Sequence, residues 1–144
     1  MMSFGYCIVC LSPLRSEARD ASEMVSQLLF GEPVNILEQS GSWVKIETLL
    51  DGYQGYSDVK HFRNLSEKEV KRWMDGQSLS TAQTCTLQTP WGDQQLVRGS
   101  FIPYEEMDTF FIGRDEFTFK GNPKQNVWSS LTEAAISYLN APYL

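Results

Sequence analysis

The sequence predicts a mainly β protein, two small barrels joined by a short helix and followed by a second helix. Three observations carry that expectation. Short apolar-alternating runs recur between turn residues along most of the chain. Aromatic residues make up 12% of the 144 positions, a share that suits strands better than a helical bundle. Helix signatures are confined to two stretches, 66–76 and 127–139. A hydrophobic share of 42% with 21% charged residues is that of a globular chain, and the length fits one ordinary domain or two small ones.

The first unit, residues 1–65, opens with Tyr6-Cys7-Ile8-Val9 as a strand. Pro13 to Ala21 reads as a polar loop carrying Arg15, Glu17, Arg19 and Asp20. Met24 to Phe30 is an apolar run stopped by Gly31-Glu32-Pro33, and Val34 and Ile36 then alternate with Asn35. Ser40-Gly41-Ser42 forms a tight turn before Trp43 to Glu47, where Val44 and Ile46 oppose Lys45 and Glu47. Asp51-Gly52-Tyr53-Gln54-Gly55-Tyr56 supplies two bends and two aromatics. Short strands in such close succession indicate a small barrel.

Residues 66–81 read as a helical linker. Ser66 and Glu69 make a capping box, Val70, Trp73 and Met74 share one helix face, and Gln77 to Thr81 is a polar joint. Residues 82–124 return to strands as a divergent second unit. Cys85 and Leu87 share a face, Thr89 to Asp93 turns, and Phe110 to Ile112 leads through Gly113-Arg114-Asp115 to Phe117 and Phe119. Residues 125–144 contain the second helix, with a capping box at Ser130 and Glu133 and an apolar stripe through Leu131, Ala135 and Tyr138. The chain stops at Asn140-Ala141-Pro142-Tyr143-Leu144, which reads as a cut within a longer protein.

Composition excludes several functions. A net charge of −6 argues against a partner bound through phosphates, so no nucleic acid is expected. The basic stretch from Lys60 to Arg72 is interrupted by Glu67 and Glu69 and reads as a solvated face. No segment has the apolar length of a membrane span and no leader is visible, so no membrane association is expected and the cytoplasm is the expected compartment. Cys7 and Cys10 form a C-x-x-C pair, but a strand would send them to opposite faces, and His61 is the sole histidine. No metal and no cofactor are expected. A cysteine nucleophile would need His61 as its base, so Cys7, Cys10 and Cys85 read as buried thiols and the chain is not expected to be an enzyme.

Glu17 is the candidate of interest, because it lies in the long loop after the first strand, where the aromatics of Asp51 to Tyr56 would border a groove. A carboxylate beside a phenol ring seats an ammonium group through a charged hydrogen bond and a cation–π contact.

Taken together, Leu14-Arg15-Ser16-Glu17, then Ser22 to Glu32, Trp43-Val44-Lys45-Ile46 and Asp51 to Tyr56 resemble the first bacterial SH3-like domain of NlpC-type cysteine peptidases. Gly99-Ser100-Phe101-Ile102-Pro103 and Phe119-Lys120-Gly121 are similar to the divergent second SH3-like domain of that family, and Ala135 to Leu144 to the helix that enters its catalytic domain. The family cleaves peptidoglycan stem peptides through an Asp-Cys-Ser-Gly motif that does not occur here. The resemblance implies two SH3-like barrels acting as a substrate-binding or gating module, with an NlpC-type catalytic domain as partner and murein stem peptide, L-Ala-γ-D-Glu-diamino acid, as ligand. It also implies that an acidic loop residue, matched by Glu17, and an aromatic, matched by Tyr53 or Tyr56, hold the free amine of L-Ala. A stand-alone peptide- or wall-binding adaptor is the alternative expectation.

Overall fold

The computed structural model describes residues 3–80, 82 and 84–124; the helix expected at 127–139 lies outside the described residues. Seven strands come first: β1 (Ser3–Cys7), β2 (Leu11–Arg15), β3 (Met24–Leu29), β4 (Pro33–Ser40), β5 (Trp43–Thr48), β6 (Gln54–Asp58) and, after a 3-10 turn at Val59–His61, β7 (Phe62–Leu65). They form a 7-stranded sheet in the order β3-β2-β6-β5-β4-β1-β7, antiparallel at every junction. Alternation works as the sequence suggests. Val44 and Ile46 on β5 turn inward with Leu14, Leu28, Val34 and Cys7 to make one core, while Lys45 and Glu47 stay at the surface side.

Two elements differ from the sequence reading. The first strand ends at Cys7, and Leu11–Arg15 is a strand despite Pro13. Proline lacks a ladder donor and is tolerated where one side of a strand is sparsely paired. Here β2 pairs along its length with β3 but meets β6 only at Arg15–Tyr56. The loop that carries Glu17 therefore follows the second strand, not the first.

Helix α1 (Glu67–Gly76) has the expected capping box. Ser66 Oγ accepts from the Glu69 amide at 3.1 Å and Glu69 Oε2 from the Ser66 amide at 3.2 Å. Val70 and Trp73 are its buried residues. The stretch Gln77–Leu79, a polar joint by sequence, is β8, paired antiparallel with β11 (Phe101–Pro103). Between and after them lie β9 (Thr84–Thr89), β10 (Gly92–Val97), β12 (Thr109–Ile112) and β13 (Asp115–Lys120), a 4-stranded sheet in the order β10-β9-β13-β12. The mainly β class is the one the sequence predicts. No helix among the described residues is long and apolar enough to cross a membrane.

A second core draws on all three sheets. Tyr6 and Leu65 of the 7-stranded sheet and Phe30, just past β3, pack with Val70 and Trp73 of α1 and with Leu87, Phe101, Phe110 and Phe117. Trp73 stacks on Phe110 at 6.0 Å between ring centroids, Phe110 on Phe117 at 5.3 Å, and Phe30 meets Phe117 edge-on at 5.2 Å. A polar clasp closes beside them. Tyr6 donates its hydroxyl to Asp115 at 2.5 Å, and Arg63 grips the same carboxylate with Nε at 3.0 Å and Nη2 at 2.9 Å. Burial, then the Asp115 carboxylate, pushes the Tyr6 phenol well above its ordinary range, so it remains a donor.

Candidate functional site

Glu17 stands on the loop between β2 and β3. That loop is bound to itself: the Ser16 amide donates to Glu23 O at 2.9 Å and Arg15 Nη1 to Ser22 O at 3.0 Å. The buried Ser22 hydroxyl lies 2.9 Å from Glu17 O and 2.8 Å from Arg19 O. These bonds satisfy a hairpin loop's backbone locally and fix where Glu17 emerges. Its carboxylate is held by Arg19 Nε at 2.8 Å, with both side chains more than half exposed. An exposed pair of this kind contributes about 0–1 kcal/mol, so another cation can replace the guanidinium.

Tyr53 follows the Asp51-Gly52 turn, where Gly52 takes a φ of 70°. Thr48 Oγ1 donates to Asp51 Oδ1 and accepts from the Tyr53 amide at 2.9 Å, which sets the ring's exit from the turn. The ring is 44% exposed, and its hydroxyl lies 3.5 Å from Val25 O on β3, the strand into which the Glu17 loop runs. Tyr56 is half-buried on β6, with Cα neighbours Lys45 on β5 and Arg15 on β2. Lys45 Nζ lies 5.9 Å from the Tyr56 ring centroid. The register thus brings Tyr56 beside β2, and the Tyr53 hydroxyl reaches β3. Among the described residues no hydrogen bond joins Glu17 to either ring. Sequence reasoning missed two features: Arg19 as the occupant of Glu17, and the cations beside Tyr56. The first had a signal, since an Arg two residues on in a tight loop can fold back onto the carboxylate.

Another carboxylate, Glu32, feels the charge of Asp51 at the Asp51-Gly52 turn. Burial, then the nearby Asp51 charge, pushes Glu32 up to about 7. In the unfolded chain a glutamate titrates near ~4.3, so between those values the folded state holds more protons. Stability therefore falls as pH rises through that window and levels off above it. Glu32 is partly open to water, which screens the effect, and about 1–2 kcal/mol is expected. Urea melts at pH 5 and pH 8 should show this loss in the native chain and not in Glu32→Gln; parallel profiles would remove Glu32 as the source.

The chemistry of a nucleophile is not assembled among the described residues. Cys10 lies in a bend past the end of β1, so strand alternation does not separate it from Cys7. Burial instead keeps the thiols protonated: Cys7 is pushed up to about 12, and Cys10 and Cys85 are raised from the same cause. His61 Nδ1 sits 2.9 Å from Ser12 Oγ, which lies 2.6 Å from Ser57 Oγ. Ser12 is fully buried, so this chain of bonds braces β2 against β6 and the turn after it. Among the described residues no cluster of three or more His, Cys, Asp or Glu side chains is placed to hold a metal ion.

Residues 14–62 match a family model described as the bacterial dipeptidyl-peptidase Sh3 domain. The match covers the Glu17 loop, both tyrosines and the strands between them. No curated protein matches the chain. Among solved structures, an NlpC/P60 family protein from Bacillus cereus is similar in fold, with a TM-score of 0.58 at 15% identity over 83% of this chain and 55% of its own. The chain thus spans about half the length of that protein.

Proposed function

We propose that this chain is the substrate-capturing, SH3-type part of a peptidoglycan stem-peptide cysteine endopeptidase, with cleavage carried out by an NlpC-type catalytic domain outside these residues. Its Glu17 carboxylate receives the free amine of an N-terminal L-Ala. One observation supports this above the others: within the stretch that matches the Sh3 model, Glu17 projects from a pinned loop and already holds a cation, the Arg19 guanidinium. An incoming ammonium replaces one positive charge by another. Tyr53 is the preferred aromatic partner, because its exposed ring reaches the strand at the loop's end and no cation among the described residues stacks on it, whereas Tyr56 lies between Lys45 and Arg15. A site that demands a free amine selects released peptides over intact wall, which suits a cytoplasmic recycling role.

Glu17→Gln keeps the side chain's size and removes its charge. Binding of L-Ala-γ-D-Glu-diaminopimelate, followed by amide shifts, should weaken by about 1–3 kcal/mol, the range of a hydrogen bond to a charged group. An unchanged affinity would take Glu17 out of the site.

A further inference from the structure

We infer that Arg15 and Lys45, with Tyr56 between them, bind a carboxylate carried by the same peptide whose amine Glu17 holds. The inference rests on the proposed function and adds an anionic half to it. The register supplies the first argument. Glu38, Lys45, Tyr56 and Arg15 stand opposite one another on β4, β5, β6 and β2, a single row across the sheet. Directly paired residues on neighbouring strands present their side chains on one face about 5 Å apart. The opposite face is the barrel core, since Leu14, Val44, Ile46 and Ser57 are buried, so this row lies on the outer face.

Charge supplies the second argument. In a chain of net charge −6, two cations flank one ring, and neither closes a salt bridge among the described residues. Glu38 faces Lys45 across β4 without pairing with it. Glu47, one step along the face, is engaged instead by Gln54 Nε2 at 2.7 Å and Asn35 Nδ2 at 3.4 Å. Arg15 spends one nitrogen on Ser22 O and keeps other donors available for a planar anion. Arg15 and Lys45 are both half-buried, so a carboxylate laid against Tyr56 would meet partly desolvated cations.

Distance supplies the third. Arg15 and Glu17 are two residues apart, so their Cα atoms are separated by at most about 7 Å. A γ-linked glutamate following an N-terminal residue leaves its α-carboxylate free, at a similar distance from the amine. One dipeptide can therefore place its amine on Glu17 and its carboxylate on the cation row, and the two charges fix its direction.

The test compares L-Ala-D-Glu γ-methylamide, in which only the α-carboxylate is free, with its α-carboxamide on the intact chain, by amide shifts at low and at physiological salt. The acid should bind about tenfold tighter than the amide, more so at low salt. In Lys45→Gln the preference should fall several-fold, while the preference for a free over an acetylated amine persists. Equal binding of acid and amide, or a preference indifferent to Lys45→Gln, overturns the inference and leaves the amine site standing. Absence of binding by either dipeptide overturns both. Unchanged melting of Lys45→Gln, expected because its side chain lies outside the core, excludes loss of fold as the cause.

Discussion

Replacing Gly31 by alanine should destabilise the chain by about 3–5 kcal/mol, more than any other single methyl group added to it. Gly31 lies in the turn between β3 and β4, packed against Phe101 of β11. Its φ is +82°, and a Cβ there would lie 2.6 Å from the Phe101 carbonyl oxygen and 2.8 Å from Phe101 Cβ. Backbone cannot swing aside as a side-chain tip can, and the same junction holds the Phe101 amide to Phe30 O at 2.8 Å and Trp73 Nε1 to Gly31 O at 2.7 Å. Gly41 is the internal control. It has a φ of +61° but open space around it, so its alanine variant bears only the cost of left-handed backbone, about 1 kcal/mol. Urea denaturation of the two variants separates contact from conformation. Equal losses would mean that the Gly31 turn does not meet β11 at Phe101.

Asp115→Ala should come next, at about 2–4 kcal/mol. The carboxylate links the sheets through Tyr6 and Arg63, and its loss strands the Tyr6 hydroxyl, which is fully buried. Arg63 has about half of its side chain in water and rehydrates when released, so Arg63→Gln should cost under about 1 kcal/mol. Tyr6→Phe removes donor and need together and should fall near 1 kcal/mol. A loss below 1 kcal/mol for Asp115→Ala would show the clasp to be incidental to stability.

Local chemistry explains what the sequence made legible. The α1 capping box, the inward alternation of Val44 and Ile46, and the Asp51-Gly52 turn each depend on neighbours within a few residues. Pairing across the sheet does not. Nothing near Tyr56 in the sequence announces that Lys45 and Arg15 stand beside it, because register is set by the bulges at Leu14/Arg15 and Ile36/Glu38 and by the core beneath. The strand at β2 was hidden by Pro13, and β8 by its polar composition, since a three-residue strand is held by its partner β11 rather than by its own propensity. The core shared by Tyr6, Trp73 and Phe117 was likewise invisible, because long-range aromatic contacts leave no periodic trace.

Everything functional in this account depends on a negatively charged loop side chain choosing a ligand by its positively charged end. The direct measurement is a titration of the chain with L-Ala-γ-D-Glu-diaminopimelate and with the same tripeptide acetylated at its amine. The free amine should bind with a dissociation constant on the order of millimolar and shift resonances of residues 16–23 and of Tyr53, with the acetylated form weaker by about tenfold or more. Equal binding of the two, or shifts confined to strands away from that loop, would contradict it.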